Sequence, residues 1–295
     1  MSARRLLLAA LLLACCKGED RPLVVGSKNF TESVILGELL AQKLESTGCK
    51  VDRRLNMGGT FVCDAAVRAG SIDAYVEYSG TALTAILKRP SMNDRQRVDA
   101  IVRADYEKAG LRWSPPLGFN NTFAMIVRKT TARQNELRSI SDLTRLAATL
   151  RPGFGYEFTE RPDGWTGLQN AYNLRVATPP RTMDLGLTYK ALASRQVDLI
   201  AGNSTDGLIS RYGLVQLDDD RKYFPPYDAV PVVRQAALEK HARLRGLLKE
   251  LGGILTVDEM RKLNYAVDGE KRQAKDVARE FLIQKKFITG SVPTN

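Results

Sequence analysis

The sequence predicts an α/β protein of two lobes arranged as a clamshell about a two-strand hinge. Three observations carry this: strand-like and helix-like segments alternate, one strand-to-helix junction occurs twice, and two extended segments read as crossings between the halves. The first element is a short strand, Leu23 to Gly26. The loop "GSKNFTE" follows it, then a helix with Leu36, Leu39, Leu40 and Leu44 at helical spacing, ended by Gly48. Asn29 and Glu32 stand at capping-box spacing where this helix starts. Next come a strand from Val51 to Leu55, the turn Met57-Gly58-Gly59-Thr60, a helix from Val62 to Ala69, and a third strand in "SIDAYVEYSGTALT", residues 71–84.

That last junction returns as "QVDLIAGNSTDGLI", residues 196–209, with Asp73 matching Asp198, Tyr78 matching Asn203 and Ser79 matching Ser204. Two similar lobes, each presenting the same edge, would form a cleft. Loops at the carboxyl ends of strands, leading into helix starts, are where α/β sheets hold small molecules. "GSKNFTE", "NMGGTF" and "VEYSGT" all occupy such places. "NNTFAMIVRK" (120–129) reads as a strand leaving the first lobe, and "SISDLTRL" as a helix beginning at Ser141. "YFPPYDAVPVVRQ" (223–235) reads as the return, and "LEKHARLRGLLKEL" as an amphipathic helix with His241 on its exposed side. The expected division is an export segment over 1–14, lobe one over 22–126 and 230–295, and lobe two over 127–229.

The N-terminus places the protein outside the cytoplasm. Arg4 and Arg5 precede an apolar run from Leu6 to Ala14, too short to span a bilayer and suited to an export signal. Leu12-Leu13-Ala14-Cys15 has the form of a lipoprotein cleavage box, so Cys15 is the expected lipidation site, with Cys16 the alternative. The expected location is periplasmic or at the cell surface, anchored by the lipid. Without Arg4 and Arg5 the formal charge falls by two from +11, to +9. The basic residues are scattered and an exported chain rarely meets nucleic acid, so no nucleic-acid partner is expected. Cys49 and Cys63 sit at opposite ends of a strand of roughly 20 Å, too far for a bridge, and are expected to be free thiols.

Enzyme chemistry finds little footing. There is no G-x-S-x-G elbow near Ser79 or Ser204, the lone His241 is remote from both, and no Rossmann or P-loop glycine pattern follows a strand. One histidine and no Cys-x-x-Cys give no ordinary zinc site. The run Asp218-Asp219-Asp220 lacks calcium-loop spacing and reads as a solvated turn. No metal, cofactor or catalytic residue is expected.

"GSKNFTE", "GGT", "VEYSGTALTAIL", "GFNNTFA", "STDGLI" and "FPPYDAVPVV" together resemble the substrate-binding proteins of ABC importers for quaternary-ammonium osmoprotectants such as glycine betaine, choline and carnitine. The resemblance covers nearly all of residues 22 to 290. It implies a type II periplasmic binding fold, a small cationic or zwitterionic ligand, and delivery by a monomer to a membrane permease with its cytoplasmic ATPase. By motif position it implies a cage from Tyr78 and Tyr227, with Lys28, Thr81 and Arg161 as partners for a ligand carboxylate. The chain departs from the family at Asn203, where relatives often carry a tyrosine. It departs again at Leu117 and Phe119, where they place an acidic residue and a tyrosine. Phe119 would still offer a ring face, while the carboxylate would be missing. The cage reads as reduced, and Asn203 suits a ligand with more hydrogen-bonding groups than plain betaine. Blander roles stand beside these: Lys28 solvated, Glu77 bonding amides of its own loop, Asn203 capping a helix, Arg161 pairing with Glu157 or Asp163. A ligand sensor for a membrane receptor would use the same clamshell.

Overall fold

Two sheets of one topology make up the protein. The computed structural model describes residues 21–241 and 243–290, so the export-signal reading and Cys15 lie outside the described residues. The strands are β1 (Leu23–Gly26), β2 (Val51–Arg54), β3 (Ala74–Tyr78), β4 (Leu111–Trp113), β5 (Phe123–Arg128), β6 (Pro152–Phe154), β7 (Arg181–Thr182), β8 (Leu199–Asn203), β9 (Leu214–Gln216) and β10 (Ala229–Arg234). The first sheet runs β2-β1-β3-β10-β4 and the second β7-β6-β8-β5-β9. In each, the three leading strands are parallel and the fourth is antiparallel to both of its neighbours. Helices surround both sheets, as an α/β chain requires to cover parallel strands.

The repeated junction falls on equivalent strands, β3 and β8. The Asp73 carboxylate accepts from the Val24 amide at 3.0 Å and pairs with Arg234 at 3.1 Å. Asp198 does the same with the Arg151 amide at 3.3 Å and with Arg128 at 2.5 Å. Arg234 and Arg128 end the equivalent strands β10 and β5. An aspartate before the central strand therefore ties three strands together in each lobe.

The crossings lie slightly earlier than the sequence suggests. β5 belongs wholly to the second sheet, so the chain leaves the first lobe at residues 120–122 rather than at 126, and it returns at Ala229. The crossing segments pair with each other: Asn120 bridges Asp228, and the Asn121 amide donates to the Tyr227 carbonyl at 3.0 Å. An apolar run such as Phe123–Val127 fits either sheet equally well, so its partner is decided by pairing and not by its own pattern.

Local readings shift in four places. Helix α1 (Thr31–Glu45) has Phe30 as its N-cap without a side-chain cap, so the Asn29–Glu32 box does not form. The Ser141 start moves to Ser139, which builds a capping box with Asp142 ahead of a 3-10 helix over Ile140–Arg145. The helix expected through His241 ends at Lys240 and resumes at Leu244. Helix α2 (Thr60–Ala69) starts two residues earlier than expected and buries Cys63; Cys63 and Cys49 are free thiols.

Candidate functional site

A cavity of about 690 Å³ lies between the two sheets, a size typical of small-molecule sites. Lys28, Tyr78, Thr81, Arg161, Asn203 and Tyr227 all line it. Phe119 does not. It is 1% exposed, packed in the core, and its carbonyl accepts from the Ala229 amide beside the crossing. Phe123 of the same motif is on the wall instead, opposite Asn203 in the β5–β8 register. Phe119 stands before the crossing and packs beside β10 in the first lobe, whereas Phe123, after the crossing, opens β5 in the second.

Two tyrosines hold the positions expected of them. Tyr78 ends β3, and its ring lies 6.1 Å from that of Phe30. After it the chain turns into a short helix over Ser79–Thr81, widened into a π-turn over Ala82–Ile86, which carries Thr81 into the wall. Ser79 fastens this turn to the return crossing: its hydroxyl donates to the Pro226 carbonyl at 2.8 Å and accepts from the Asp228 amide at 2.9 Å. Gly80 allows the approach, because a Cβ there would stand 2.7 Å from the Tyr227 ring. Phe123 packs edge-on against Tyr227 at 5.8 Å between centroids.

The two cations are paired by the protein itself. Lys28, 2% exposed, donates to Glu77 at 2.5 Å and Thr60 at 2.9 Å, and lies 5.3 Å from the Tyr78 ring centroid. Glu77 also accepts from the Tyr78 amide at 2.7 Å, the role in its own loop that the sequence suggests. Burial raises the Glu77 carboxyl above its usual range, and Lys28 is the main opposing pull. Arg161 forms a two-pronged pair with Asp163 at 2.9 and 2.6 Å and stands 3.6 Å from Glu157. Its guanidinium lies over Phe123 at 4.8 Å, and the Tyr227 hydroxyl donates to Asp163 at 2.5 Å. Against the cost of burial, Arg161 holds Asp163 below the usual aspartate range. The clamp reading of Arg161 and its place on the wall both hold.

Carboxylates outnumber cations on the wall. Glu157, Asp184, Asp206 and Asp268 face it beside Lys28 and Arg161, in a chain whose formal charge is +11. Asp206 accepts from the Asn203 amide at 2.9 Å and from the Tyr189 hydroxyl, and desolvation pushes its carboxyl up to about 7. Asn203 is half-buried, and its amide group reaches Asp206 at 3.4 Å.

Carboxylates and rings from elsewhere in the chain also line the wall. Phe30 and Phe123 lie inside the quoted loops "GSKNFTE" and "GFNNTFA", so their position was a usable signal. Tyr156, Tyr189, Glu157 and Asp206 also line the wall. Tyr156 and Tyr189 open or sit within helices of the second lobe, and nothing in their local sequence marks them.

The lobes touch around the cavity. The Thr60 amide donates to Glu157 at 2.5 Å, and Arg261 donates to the Ser204 carbonyl at 3.1 Å. Gly207 approaches Tyr265 so closely that a Cβ would stand 2.5 Å from the Tyr265 Cα.

The twin α/β lobes agree with what known proteins show. Residues 21–284 match the family described as the substrate binding domain of the ABC-type glycine betaine transport system. The chain belongs to this family. It is similar to the carnitine transport binding protein OpuCC of Listeria monocytogenes, 34% identical over 97% of this chain and 96% of that one. A glycine-betaine-binding protein of Pseudomonas aeruginosa is also 34% identical, over 96% of each chain. A solved glycine betaine/carnitine/choline ABC transporter structure is 31% identical, with a TM-score of 0.75, covering 90% of this chain and 99% of that one. The family members are substrate-binding proteins of ABC transport systems, and the two-lobed fold is theirs.

Proposed function

We propose that this protein captures a small quaternary-ammonium or related zwitterionic solute in the interlobe cavity and presents it to an ABC permease driven by its cytoplasmic ATPase. The observation that carries this reading is the composition of the wall: aromatic faces and an excess of carboxylates, in an otherwise basic protein. A trimethylammonium group cannot donate hydrogen bonds. It is held by ring faces, worth about 2 kcal/mol or more when desolvated, and by diffuse attraction to carboxylates. Tyr78, Phe123 and Tyr227 supply faces from both lobes and the crossing, with Phe30, Tyr156 and Tyr189 around them.

Lys28, Thr81 and Arg161 are the ligand's polar partners in this reading. Because Glu77 and Asp163 already neutralise both cations, a ligand carboxylate meets paired charges and leftover donors. Choline, which has no carboxylate, therefore ranks with or above glycine betaine. Asn203 with Asp206 favours a ligand carrying a hydroxyl or N–H, as the hydroxyls of choline and carnitine do. A ligand stabilises the closed form only through contacts that differ between open and closed lobes. The protein works as a monomer outside the cytoplasm, anchored through lipid at Cys15.

The test is a thermal-shift screen of residues 17–295 with glycine betaine, choline, carnitine and common amino acids, followed by calorimetry. A ligand at a hundred times its dissociation constant adds about 2.7 kcal/mol of stability, a visible shift. Stabilisation by at least one trimethylammonium compound is expected. Stabilisation by amino acids alone would overturn the assignment.

A further inference from the structure

Glu32 lies behind the cavity wall in the first turn of α1, 1% exposed, and its carboxylate is shared by four separate segments of the chain. Oε1 accepts from the Tyr78 hydroxyl at 2.7 Å and from Asn121 Nδ2 at 2.7 Å. Oε2 accepts from the Thr205 hydroxyl at 2.5 Å and from Asn264 Nδ2 at 2.9 Å. Tyr78 is a cavity ring of the first lobe, and Asn121 belongs to the first crossing. Thr205 follows β8 in the second lobe, and Asn264 lies in the first-lobe helix Val257–Asp268. Asn121 and Asn264 also reach the second-lobe loop with their other contacts. Asn121 Oδ1 accepts from the Thr205 amide at 3.4 Å, and Asn264 donates to the Thr205 carbonyl at 3.0 Å.

None of the four donors carries a charge. A buried carboxylate without a cation is tolerated only when its lone pairs are filled, and here four donors fill them. One of those donors, Thr205, is delivered by the opposite lobe. If the lobes part, Thr205 leaves, and the remaining three must hold a carboxylate now open on one side. Tyr78 answers to the same group, since its hydroxyl fixes how its ring is presented to the cavity.

We infer that Glu32 is the positioning residue that couples the Tyr78 ring to docking of the second lobe, so that ligand contact and closure draw on one carboxylate. The inference rests on the interlobe cavity being the solute site. Its consequence is that removing the Tyr78 hydroxyl alters closure, although Tyr78 makes its bond to Glu32 and not to the second lobe.

Closure is read without ligand, by the distance distribution between spin or fluorescent labels placed on exposed Arg68 and Lys190, one in each lobe. Glu32→Gln, Thr205→Val and Tyr78→Phe are compared with the parent in the full chain. Glu32→Gln and Thr205→Val are each expected to lower the ratio of closed to open molecules about tenfold, the change that accompanies loss of a hydrogen bond to a charged group. Tyr78→Phe takes a donor from the carboxylate in both states and should instead raise the ratio, because the Thr205 bond then fills a larger need. The Tyr78→Phe/Thr205→Val double variant should be as open as Thr205→Val alone, because Tyr78→Phe acts on closure only through the Thr205 bond to Glu32. Unchanged distributions in folded Glu32→Gln and Thr205→Val, or fully additive effects in the double variant, would overturn the coupling. Titration of the parent with glycine betaine, choline and carnitine separates the two ideas. Opening by Glu32→Gln with no binding of any of the three would leave the coupling standing and remove the solute assignment.

Discussion

Arg161 and Asp163 face each other as a two-pronged ion pair, with both side chains sealed behind the Phe123 and Tyr227 rings. Bidentate geometry and burial make this pair strong, but the larger effect is what remains if one partner goes. Asp163→Ala leaves a buried guanidinium with only Glu157, 3.6 Å away, to offset it and should cost about 3 kcal/mol in urea unfolding. The double replacement Arg161→Met/Asp163→Leu should recover most of that loss. Because Asp163 is held below its usual range when folded, the pair's contribution is complete above that range and is lost as pH falls through it. A loss under about 1 kcal/mol in the single variant would mean the pair is solvated.

Phe123 and Phe119 separate a wall residue from a core residue. Phe123→Ala should weaken binding of a trimethylammonium ligand by about 1–3 kcal/mol, measured by calorimetry. Phe119→Leu should leave affinity within twofold while lowering the unfolding midpoint. The reverse pattern would put Phe119 back on the wall.

Gly207 meets Tyr265 of the opposite lobe with no room for a side chain, at an ordinary helical φ of −64°. A larger residue there is therefore unstrained within its own lobe and obstructs only the approach of the two. Gly207→Val should keep the unfolding midpoint of the ligand-free protein, enlarge its radius of gyration in small-angle scattering, and weaken binding in proportion to the closed population lost. Unchanged scattering and affinity together would show that the approach is not part of closure.

Asp206 makes binding of a cation depend on pH. Its folded carboxyl keeps a proton up to about 7, against an ordinary value of 3.8. Between those values the folded state holds more protons than the unfolded chain, so the stability of the ligand-free protein should fall as pH rises. A bound cation favours the ionised form, so affinity should increase from pH 6 to pH 8 with release of a proton on binding. Asp206→Asn should flatten both profiles. Calorimetry in two buffers of different ionisation enthalpy reads the proton directly, and equal heats at pH 6.5 would remove Asp206 from the ligand's surroundings.

Much of the site was legible because it sits where alternating strands and helices place it. The carboxyl ends of β1, of β3 and of β8, the last found through the repeat, each deliver a wall residue: Lys28 just after β1, and Tyr78 and Asn203 as the last residues of β3 and β8. What misled was local spacing. Asn29 and Glu32 have the separation of a capping box, yet four tertiary donors claim Glu32, and a bond network of that size outweighs a cap worth about 1 kcal/mol. Phe119 and Phe123 are alike in type and motif, and only the position of the crossing decides which one reaches the cavity.

By itself the sequence determined the α/β alternation, the twin lobes, and the edge on which the chemistry gathers, because periodicity and strand-to-helix junctions are properties of neighbours along the chain. The tertiary structure alone decided that Lys28 arrives already paired with Glu77 and that rings and carboxylates from the second lobe complete the wall. It also decided that Glu32 answers to both lobes. The makeup of the wall and the partners of Glu32 depend on what stands across the cleft, and residues as far apart as Glu32 and Thr205 become neighbours only when the two sheets face each other.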